Sequence, residues 1–527
     1  MSQESVLQLL LVPVIAIAVA AVARRREWSA PLLLVLAGLV LSPLVPGYQL
    51  DPELILLVFL PPLLYSAAID SSYTRLKAVR RPIGLLSVGL VLFTTLVVGW
   101  VTHLLLPELP VAAAFALGAI VAPPDAVAAV AVARRLGLPR KIVSILVGES
   151  LFNDATALTV YRVAVSAALG AGITWPEAVG RFLYAAVGGV VIGVALSWLL
   201  NRLLRLLRDP LTENTVMLLI PFGVYLAAEV AHTSGVVAVV IVGLSIGHRM
   251  PSAGFGTRLL SGAVWRVMGF FLETIVFMLI GLQLWPIMSA LGGEDPLRLA
   301  GMALAVFVAT VLARAVWVVP GLHLPRRLSA RIRRNEPKPP SWPATLIVSW
   351  AGMRGVVSLA AAFALPEDFP GRPTILFLTF TVVIGTLLIQ GLSFPALISR
   401  LRVSNEQEIF ADNLAEAGAK QQAATASLTR LEELVGEGVP ESGEHVVRLL
   451  RKRTEHQPLA AWERLGGGTG QEGEETPSGL YRRLRREMLA VERDVLVRLR
   501  DEGRLDDEVL HRVIRELDFE EANLERE

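Results

Sequence analysis

The sequence contains no cysteine, which excludes disulfides, thiolate nucleophiles and cysteine-ligated metal sites. Its seven histidines are scattered, and none belongs to an HExxH segment or to a helical pair of metal ligands. A phosphate-binding loop ending in Gly-Lys-Ser or Gly-Lys-Thr is also missing. These absences, with the lack of a nucleophile–base set, argue against a metalloprotease, an ATP-driven pump or another enzyme. We therefore expect no catalytic residues and no cofactor.

Charged residues are also scarce in this chain. They make up 18% of the 527 residues, while 54% are hydrophobic; soluble proteins are nearer about 25% charged and 45–50% apolar. The composition predicts a polytopic membrane protein with a smaller soluble part. The apolar run 6–23 precedes Arg24-Arg25-Arg26, whereas a signal peptide carries its basic residues before the apolar run. We therefore expect a retained first span in the lipid bilayer.

Apolar runs of roughly 17–25 residues are long enough to cross a bilayer. About thirteen such runs occur, at 6–23, 30–45, 52–69, 82–106, 110–133, 142–169, 178–201, 214–231, 234–248, 264–290, 297–321, 343–365 and 374–398. Arg and Lys clusters follow the odd-numbered runs, at 24–26, 75–81, 134–141, 202–208, 249–258 and 326–338. Basic loops collect on the cytoplasmic side. This alternation predicts an N-terminus outside the cell and a C-terminus in the cytoplasm.

Two of the runs carry signals for a broken helix. The fifth contains Ala122-Pro123-Pro124-Asp125-Ala126, and its prolines remove backbone donors. The twelfth contains Trp350-Ala351-Gly352-Met353-Arg354-Gly355, with two glycines around a charge. The two runs are seven crossings apart, and an odd number of crossings reverses the direction in which the chain enters the membrane. Two repeats of about six helices would therefore have inverted topology, and their broken helices would cross. Such matching breaks indicate the midplane binding site of a transporter.

The run 142–169 contains two carboxylates, Glu149 and Asp154. A charge at the centre of a membrane helix costs at least ~3 kcal/mol, so intramembrane acids are candidates for a functional site. Five residues of helix separate their directions by about 140°, so the two acids need different partners. Asp154, Asn153, Ser150 and Asp125 form an all-oxygen set of the kind that hard cations prefer. We therefore predict ion and proton binding at these residues, with Na⁺ held by Asp154 and Asp125.

Other buried charges allow more than one arrangement. Arg354 needs an anion, and Glu149 is the predicted partner in a structural ion pair. Glu273 is an alternative anion for three arginines, Arg162, Arg314 and Arg354.

Three residues are predicted to be accessory to the site, although a purely structural role is open for each. Glu229 is predicted to lie at a cavity mouth or to pair with His232. Ser66, with Tyr65, is predicted to line the edge of the site. Glu273 is the third accessory candidate.

The composition changes near residue 401, where spanning runs end and Glu, Arg, Lys and Gln become frequent. We predict a transmembrane domain at 1–400 and a cytoplasmic tail at 401–527. Helical patterns occur at Asn413–Leu434 and Gly479–Arg500, and the glycines at 466–470 with the acids at 472–475 indicate a linker. A regulatory or subunit-contact role and a plain solvated appendage are both open for the tail.

Seven separated segments, which cover the membrane part in order, carry further information. They are FLPPLLYSAA (59–68), AIVAPPDAVAAVAV (119–132), GESLFNDATAL (148–158), SGVVAVVIVGLSIG (234–247), FLETIVFMLIGLQL (271–284), SWAGMRGVVSLAAAFALP (349–366) and LLIQGLSFPALISRL (387–401). Together these segments resemble the monovalent cation/proton antiporters, in the electroneutral, bacterial NhaP-like branch of the Na⁺/H⁺ exchangers.

The resemblance implies an all-α fold of about thirteen transmembrane helices in inverted repeats, a homodimer, and an elevator-like motion. It implies that Asp154 carries the ion and proton, that Asp125 and Ser150 assist, and that Glu149 and Arg354 form a buried ion pair. Asn153, where electrogenic relatives have a second aspartate, implies one-for-one exchange.

Three positions depart from the family pattern. Pro124-Asp125-Ala126 lacks a Thr that many members have, Ser66 replaces a Glu of some members, and Glu273 replaces an Asn of many bacterial members. These departures bear on the cation shell, on ion preference and on the response to pH.

The predicted function is exchange of Na⁺ or Li⁺ for H⁺ across a bacterial cell membrane by alternating access, a reaction that serves pH homeostasis. The alternative is K⁺/H⁺ antiport on the same fold, because selectivity depends on ligand distances. A cation channel is disfavoured because no carbonyl-filter repeat occurs. No nucleic-acid partner is expected.

Overall fold

The structure is a computed structural model that describes residues 3–26, 28–44, 57–170, 175–207, 209–291, 295–330, 334, 341–403, 405–436, 443–456, 458, 461–463, 476–502 and 504–526. The chain divides into two compact units, Met1–Val403 and Ser404–Glu527. This division lies close to the boundary predicted between residues 400 and 401. The assignment of the two units to the membrane and to the cytoplasm stays a prediction.

The first unit is built from helices throughout its described residues. Its first half contains α1 Gln3–Arg25, α2 Ala30–Leu41, α3 Leu60–Ile69, α4 Tyr73–Ala78, α5 Arg80–Gly84, α6 Val91–Leu105, α7 Val111–Val121, α8 Ala126–Arg135, α9 Arg140–Ala168 and α10 Trp175–Leu206. Its second half contains α11 Pro210–Val230, α12 Gly235–Arg249, α13 Phe255–Leu282, α14 Leu284–Ala290, α15 Pro296–Leu328, α16 Trp342–Trp350, α17 Val356–Phe363 and α18 Arg372–Leu401. A π-helical stretch, Leu85–Leu90, joins α5 to α6.

Seven helical segments in the described residues are long and apolar enough to cross a membrane. They are Arg80–Leu105, Pro176–Leu206, Pro210–Val230, Gly235–Ser252, Phe255–Ser289, Pro296–Leu328 and Arg372–Leu401. Each overlaps a predicted span, and an all-α polytopic membrane protein is therefore confirmed. Residue 45 of the predicted span 30–45 and residues 52–56 of the predicted span 52–69 lie outside the described residues. The count of about thirteen and the inverted repeats stay predictions.

Both predicted helix breaks are present. Helix α7 ends at Val121 and α8 begins at Ala126, because Pro123 and Pro124 cannot continue the hydrogen-bond ladder. The second break separates α16 from α17, across residues 351–355. Each break leaves backbone groups without helical partners, and these groups need partners elsewhere in the protein.

The helices of the first unit pack in two groups. One group, the site bundle, contains α6–α9 and α15–α18, which contact each other extensively. The other group, the scaffold bundle, contains α1–α3 and α10–α13, and it too packs mainly within itself. Helix α9 also touches α10, α12 and α3, so it lies where the two bundles meet. Residues on α9 can therefore contact both bundles.

The second unit contains α19 Glu406–Gly436, α20 Glu444–His456, α21 Pro477–Asp501 and α22 Asp507–Arg526. The predicted helical patches fall within α19 and α21, while α20 and α22 were not predicted. The predicted linkers at 466–470 and 472–475 lie outside the described residues.

Helices α21 and α22 are held together by a small apolar cluster and by ion pairs. Leu489 of α21 packs with Leu517 and Leu524 of α22. Arg485 contacts the Glu520 carboxylate at 2.7 Å and holds the pKa of that group below its usual range. These contacts make α22 part of the second unit rather than a free end.

Close helix packing in the scaffold bundle depends on glycine. A Cβ added to Gly281 of α13 would lie 2.7 Å from the Leu39 nitrogen and 2.8 Å from the Gly38 Cα of α2. Small residues allow membrane helices to approach this closely. Gly262, also on α13, has nothing within 4 Å of the same added atom.

We therefore expect Gly281→Ala to lower the free energy of unfolding by about 1–3 kcal/mol, the usual cost of overpacking. Gly262→Ala should leave stability unchanged or raise it slightly, because alanine favours helix over glycine. Thermal unfolding of the two purified variants in detergent measures the difference. Equal unfolding midpoints for the two variants would show that the close approach of α2 and α13 does not require glycine at position 281.

Candidate functional site

The two helix breaks lie against each other. The backbone N–H of Asp125, in the first break, donates to the carbonyl of Met353 in the second at 2.7 Å. A Cβ added to Gly355 would lie 2.6 Å from the Asp125 Cγ, so only glycine permits this approach. The predicted meeting of the two breaks is thus present, and it places Asp125 at their contact.

The Arg354 side chain is fully buried and satisfies backbone carbonyls at the end of α7. Its Nε donates to the Val121 carbonyl at 2.9 Å and its Nη2 lies 3.4 Å from the Ala122 carbonyl. Nη1 donates to the Gly352 carbonyl. The last carbonyls of a helix have no helical donor and carry partial negative charge. Arg354 therefore caps α7 and joins the two breaks.

The predicted ion pair between Glu149 and Arg354 is wrong in its basic partner. The Glu149 carboxylate, with 1% of the residue exposed, is held by Arg314 of α15 through both guanidinium Nη atoms, and Nη2 lies 2.9 Å from Oε2. The Nε of Arg314 donates to the Val348 carbonyl at 3.0 Å. The physical reason for the difference is that the donors of Arg354 are directed to carbonyls of the breaks.

The sequence carried a signal for Arg314, because this charge stands within the apolar run 297–321. The run did not show which of the buried arginines reaches Glu149. That choice depends on helix positions that periodicity does not give.

Asn153 connects α9 to the first break. Its Nδ2 donates to the Pro124 carbonyl at 2.8 Å, and the residue is fully buried. Its Oδ1 is buried and has no hydrogen-bond partner among the described residues. The amide therefore satisfies one carbonyl freed by the break and leaves an oxygen available beside Asp154.

Asp154 follows Asn153 on α9 and is 6% exposed. Its side chain has no hydrogen bond or ion pair with another described residue, and its electrostatic neighbour is Asp125. Ser150 lies one helical turn before Asp154 and is therefore on the same face of α9. The structure brings Asp154, Asp125 and Asn153 together, and it places Ser150 on the adjoining turn. Carboxylate, amide and hydroxyl oxygens at this point can hold a hard monovalent cation or a proton.

The accessory candidates lie in three different places. Glu273, on α13 of the scaffold bundle, is partly buried and close enough to Asp125 for electrostatic interaction. Glu229 pairs with Arg162 at 2.9 Å rather than with His232, and both Glu229 and His232 line one cavity. The Ser66 hydroxyl donates to the Leu63 carbonyl of its own helix at 2.9 Å. Its described contacts do not connect it to the site.

Comparison with known proteins decides the family. A family model described as the transmembrane sodium/hydrogen exchanger matches residues 11–400 of this chain. The chain belongs to the sodium/hydrogen exchanger family. The match covers the helix breaks and every candidate site residue, so the resemblance found in the seven sequence segments is confirmed.

Several curated proteins are similar over much of this exchanger-family chain. An uncharacterized Na⁺/H⁺ exchanger of Mycobacterium tuberculosis is 33% identical over 518 residues, which cover 95% of this chain and 92% of that protein. A sodium, potassium, lithium and rubidium/H⁺ antiporter of Bacillus subtilis is 32% identical, over 70% of this chain and 57% of its own length. The Na⁺/H⁺ antiporter NhaH of Halobacillus dabanensis is 30% identical over a match that covers 75% of this chain and 97% of that protein.

A solved structure has the same fold. The sodium proton antiporter MjNhaP1 of Methanocaldococcus jannaschii at pH 8 superposes with a TM-score of 0.61 at 19% identity. The match covers 76% of this chain and 98% of the other. The architecture of the first unit is therefore that of a known antiporter.

The corrected ion pair makes a prediction about stability. Removal of one member of a buried pair leaves an uncompensated charge and costs about 3–5 kcal/mol. A double-mutant cycle between Glu149→Gln and Arg314→Gln should therefore show strong coupling in the free energy of unfolding. The matched cycle between Glu149→Gln and Arg354→Gln should show weaker coupling. Stronger coupling to Arg354 would restore the pair that the sequence predicted.

The contact between the breaks makes a prediction about activity. Gly355→Ala should reduce the rate of cation–proton exchange by about tenfold or more, because the added methyl group must displace Asp125. Gly391→Ala is the control, since the nearest atom to its added Cβ, the Met353 Sδ, lies at an ordinary 3.5 Å. Both rates are measured in vesicles that contain equal amounts of protein. Unimpaired exchange in Gly355→Ala would show that the close approach is dispensable.

Proposed function

We propose that this protein exchanges Na⁺ or Li⁺ for H⁺, with Asp154 as the carrier of both. The observation that supports the assignment most directly is the isolation of its carboxylate. Glu149 is paired with Arg314, and Arg354 is engaged with backbone carbonyls. Asp154 is buried at the helix breaks without an ion-pair or hydrogen-bond partner among the described residues. A buried carboxylate of this kind is stabilised when it binds a proton or a metal cation.

Competition at one carboxylate then couples the two fluxes. A cation that binds Asp154 displaces its proton, and a proton that returns displaces the cation. Asp125, Ser150 and the free Oδ1 of Asn153 supply further oxygens for the cation. Because Asn153 cannot ionise, a single charge crosses in each direction, and the exchange is electroneutral with one Na⁺ for one H⁺. This chemistry needs no cofactor and no enzymatic step.

Na⁺ is favoured over K⁺ as the cation. The names of the Mycobacterium, Bacillus and Halobacillus relatives all include sodium, and the Bacillus name also includes potassium. The K⁺/H⁺ alternative is therefore supported by the name of only one of these three relatives.

Transport by this site requires access from each face of the membrane in turn. We propose that the site bundle moves against the scaffold bundle in an elevator-like motion, within a homodimer in a bacterial cell membrane. The positive-inside rule supports an N-terminus outside and the tail in the cytoplasm. The grouping of the described helices into two bundles supports the relative motion.

Proton flux in reconstituted vesicles tests the proposal. With an imposed pH gradient, Na⁺ and Li⁺ should each drive proton movement, and the rate should not follow an imposed membrane potential. A response to K⁺ alone would transfer the function to potassium export. A rate that follows the potential would mean that a second carboxylate, such as Asp125 or Glu273, carries a proton.

Asp154→Asn should abolish this flux, because the amide neither titrates nor supplies a charged ligand. Asp368→Asn, the same change at an exposed turn, should retain it. Exchange that persists in Asp154→Asn would remove Asp154 from the role of carrier. If both variants lost the flux, the loss in Asp154→Asn would not be specific to the site.

A further inference from the structure

A cavity of about 380 Å³ lies beside α9, beyond Asp154 toward the C-terminal end of the helix. Its charged and aromatic lining comes from α9, α10 and α11 and from the turn after α11: Arg162, Arg181, Tyr184, Tyr225, Glu229 and His232. Leu158 belongs to the same wall and is 7% exposed. Since Leu158 is four residues after Asp154, it stands one helical turn from the proposed carrier. The cavity therefore ends next to the site without exposing it.

An ion pair crosses this cavity between the two bundles. The Nη2 of Arg162, on α9 of the site bundle, lies 2.9 Å from both carboxylate oxygens of Glu229, on α11 of the scaffold bundle. The Arg162 side chain is 50% exposed and the Glu229 side chain is 27% exposed, so the ion pair is only partly buried. An exposed pair of this kind contributes little to stability, and it can break and form again without a large cost. That property suits a contact between parts that move.

The position of the pair decides what it controls. Arg162 is eight residues after Asp154 on the same helix, and Glu229 is at the end of α11. A contact at this end joins α9 to α11 one helical turn from Leu158. Arg181, on α10, lines the same cavity but forms no ion pair with another described residue. It therefore provides a matched arginine for comparison.

We propose that Arg162 and Glu229 are positioning residues for the exchange reaction, which hold α9 against the scaffold bundle and close the route from the cavity to Asp154. This inference rests on the proposed function, in which Asp154 must be reached from both faces. The pair is formed when this route is closed, and it separates when the site opens at this end. By the predicted orientation, this end faces the outside of the cell.

The absence of cysteine from the sequence makes a direct test available. Leu158→Cys, in the full chain reconstituted in vesicles, introduces a single thiol in the closed wall. The rate at which a membrane-impermeant maleimide labels this thiol, applied to either face, reports how often the route opens. This readout measures access and does not depend on transport.

On the Leu158→Cys background, Glu229→Gln and Arg162→Gln should each raise the labelling rate from the outer face by about three- to fivefold, as expected for loss of an exposed pair. Arg181→Gln should leave the rate unchanged. The exchanged pair, Arg162→Glu with Glu229→Arg, should return the rate toward that of the background. An unchanged rate in Glu229→Gln would overturn the proposal. An equal rise in Arg181→Gln, which would indicate general loosening, would also overturn it.

The labelling experiment and the flux experiment test two different proposals, and each can contradict one of them without the other. If the unsubstituted protein shows no cation–proton exchange, the proposed function is lost, while the labelling rates still measure the contact between α9 and α11. If exchange occurs and the labelling rates do not respond to Glu229→Gln, the function stands and the closing role of the pair is wrong.

Discussion

The backbone of two interrupted helices must be satisfied inside the membrane, where no water is available to replace missing helical partners. The structure meets this requirement with side chains and with the breaks themselves. Arg354 caps the carbonyls of Val121 and Ala122, Asn153 donates to Pro124, and the Asp125 N–H donates to Met353. Two of these contacts also hold residues of the candidate site, Asn153 and Asp125. The contacts that satisfy the backbone of the breaks therefore also position part of the candidate site.

The same constraint explains which partner each buried charged residue has. Because the donors of Arg354 are directed to carbonyls, Glu149 needs another cation, and Arg314 supplies it from α15. That pair joins α9 to α15 within the site bundle. Asp154 is then left as a buried acid whose side chain has no ion-pair partner among the described residues. This isolation is the basis for the proposal that Asp154 exchanges one small cation for another.

Much of this arrangement follows from the sequence because its signals are local. The prolines before Asp125 remove backbone donors, and the glycines around Arg354 weaken a helix, so both breaks are predictable without a structure. The long apolar runs likewise locate the membrane helices. The partner of Glu149 was predicted wrongly, since the choice between Arg354 and Arg314 depends on how separate helices are placed in space.

The tail shows a second limit of local signals. Helices α20 and α22 are rich in charge and were not predicted, although apolar residues recur at helical spacing in each. That spacing does not show which helix covers the apolar face. Leu517 and Leu524 of α22 are examples, since they are buried against Leu489 of α21. The cavity pair Arg162–Glu229 was missed for the same reason as Arg314. Its two members are 67 residues apart in the chain, and nothing in their local sequence connects them.

In the proposed reaction, one carboxylate binds either a cation or a proton, and never both. The most direct measurement is proton release when Na⁺ is added to the purified protein in weakly buffered detergent solution, followed with a pH indicator alongside Na⁺ binding. Competition at Asp154 should release one proton for each Na⁺ bound, and Asp154→Asn should show neither binding nor release. Na⁺ binding without proton release, or release that persists in Asp154→Asn, would contradict it.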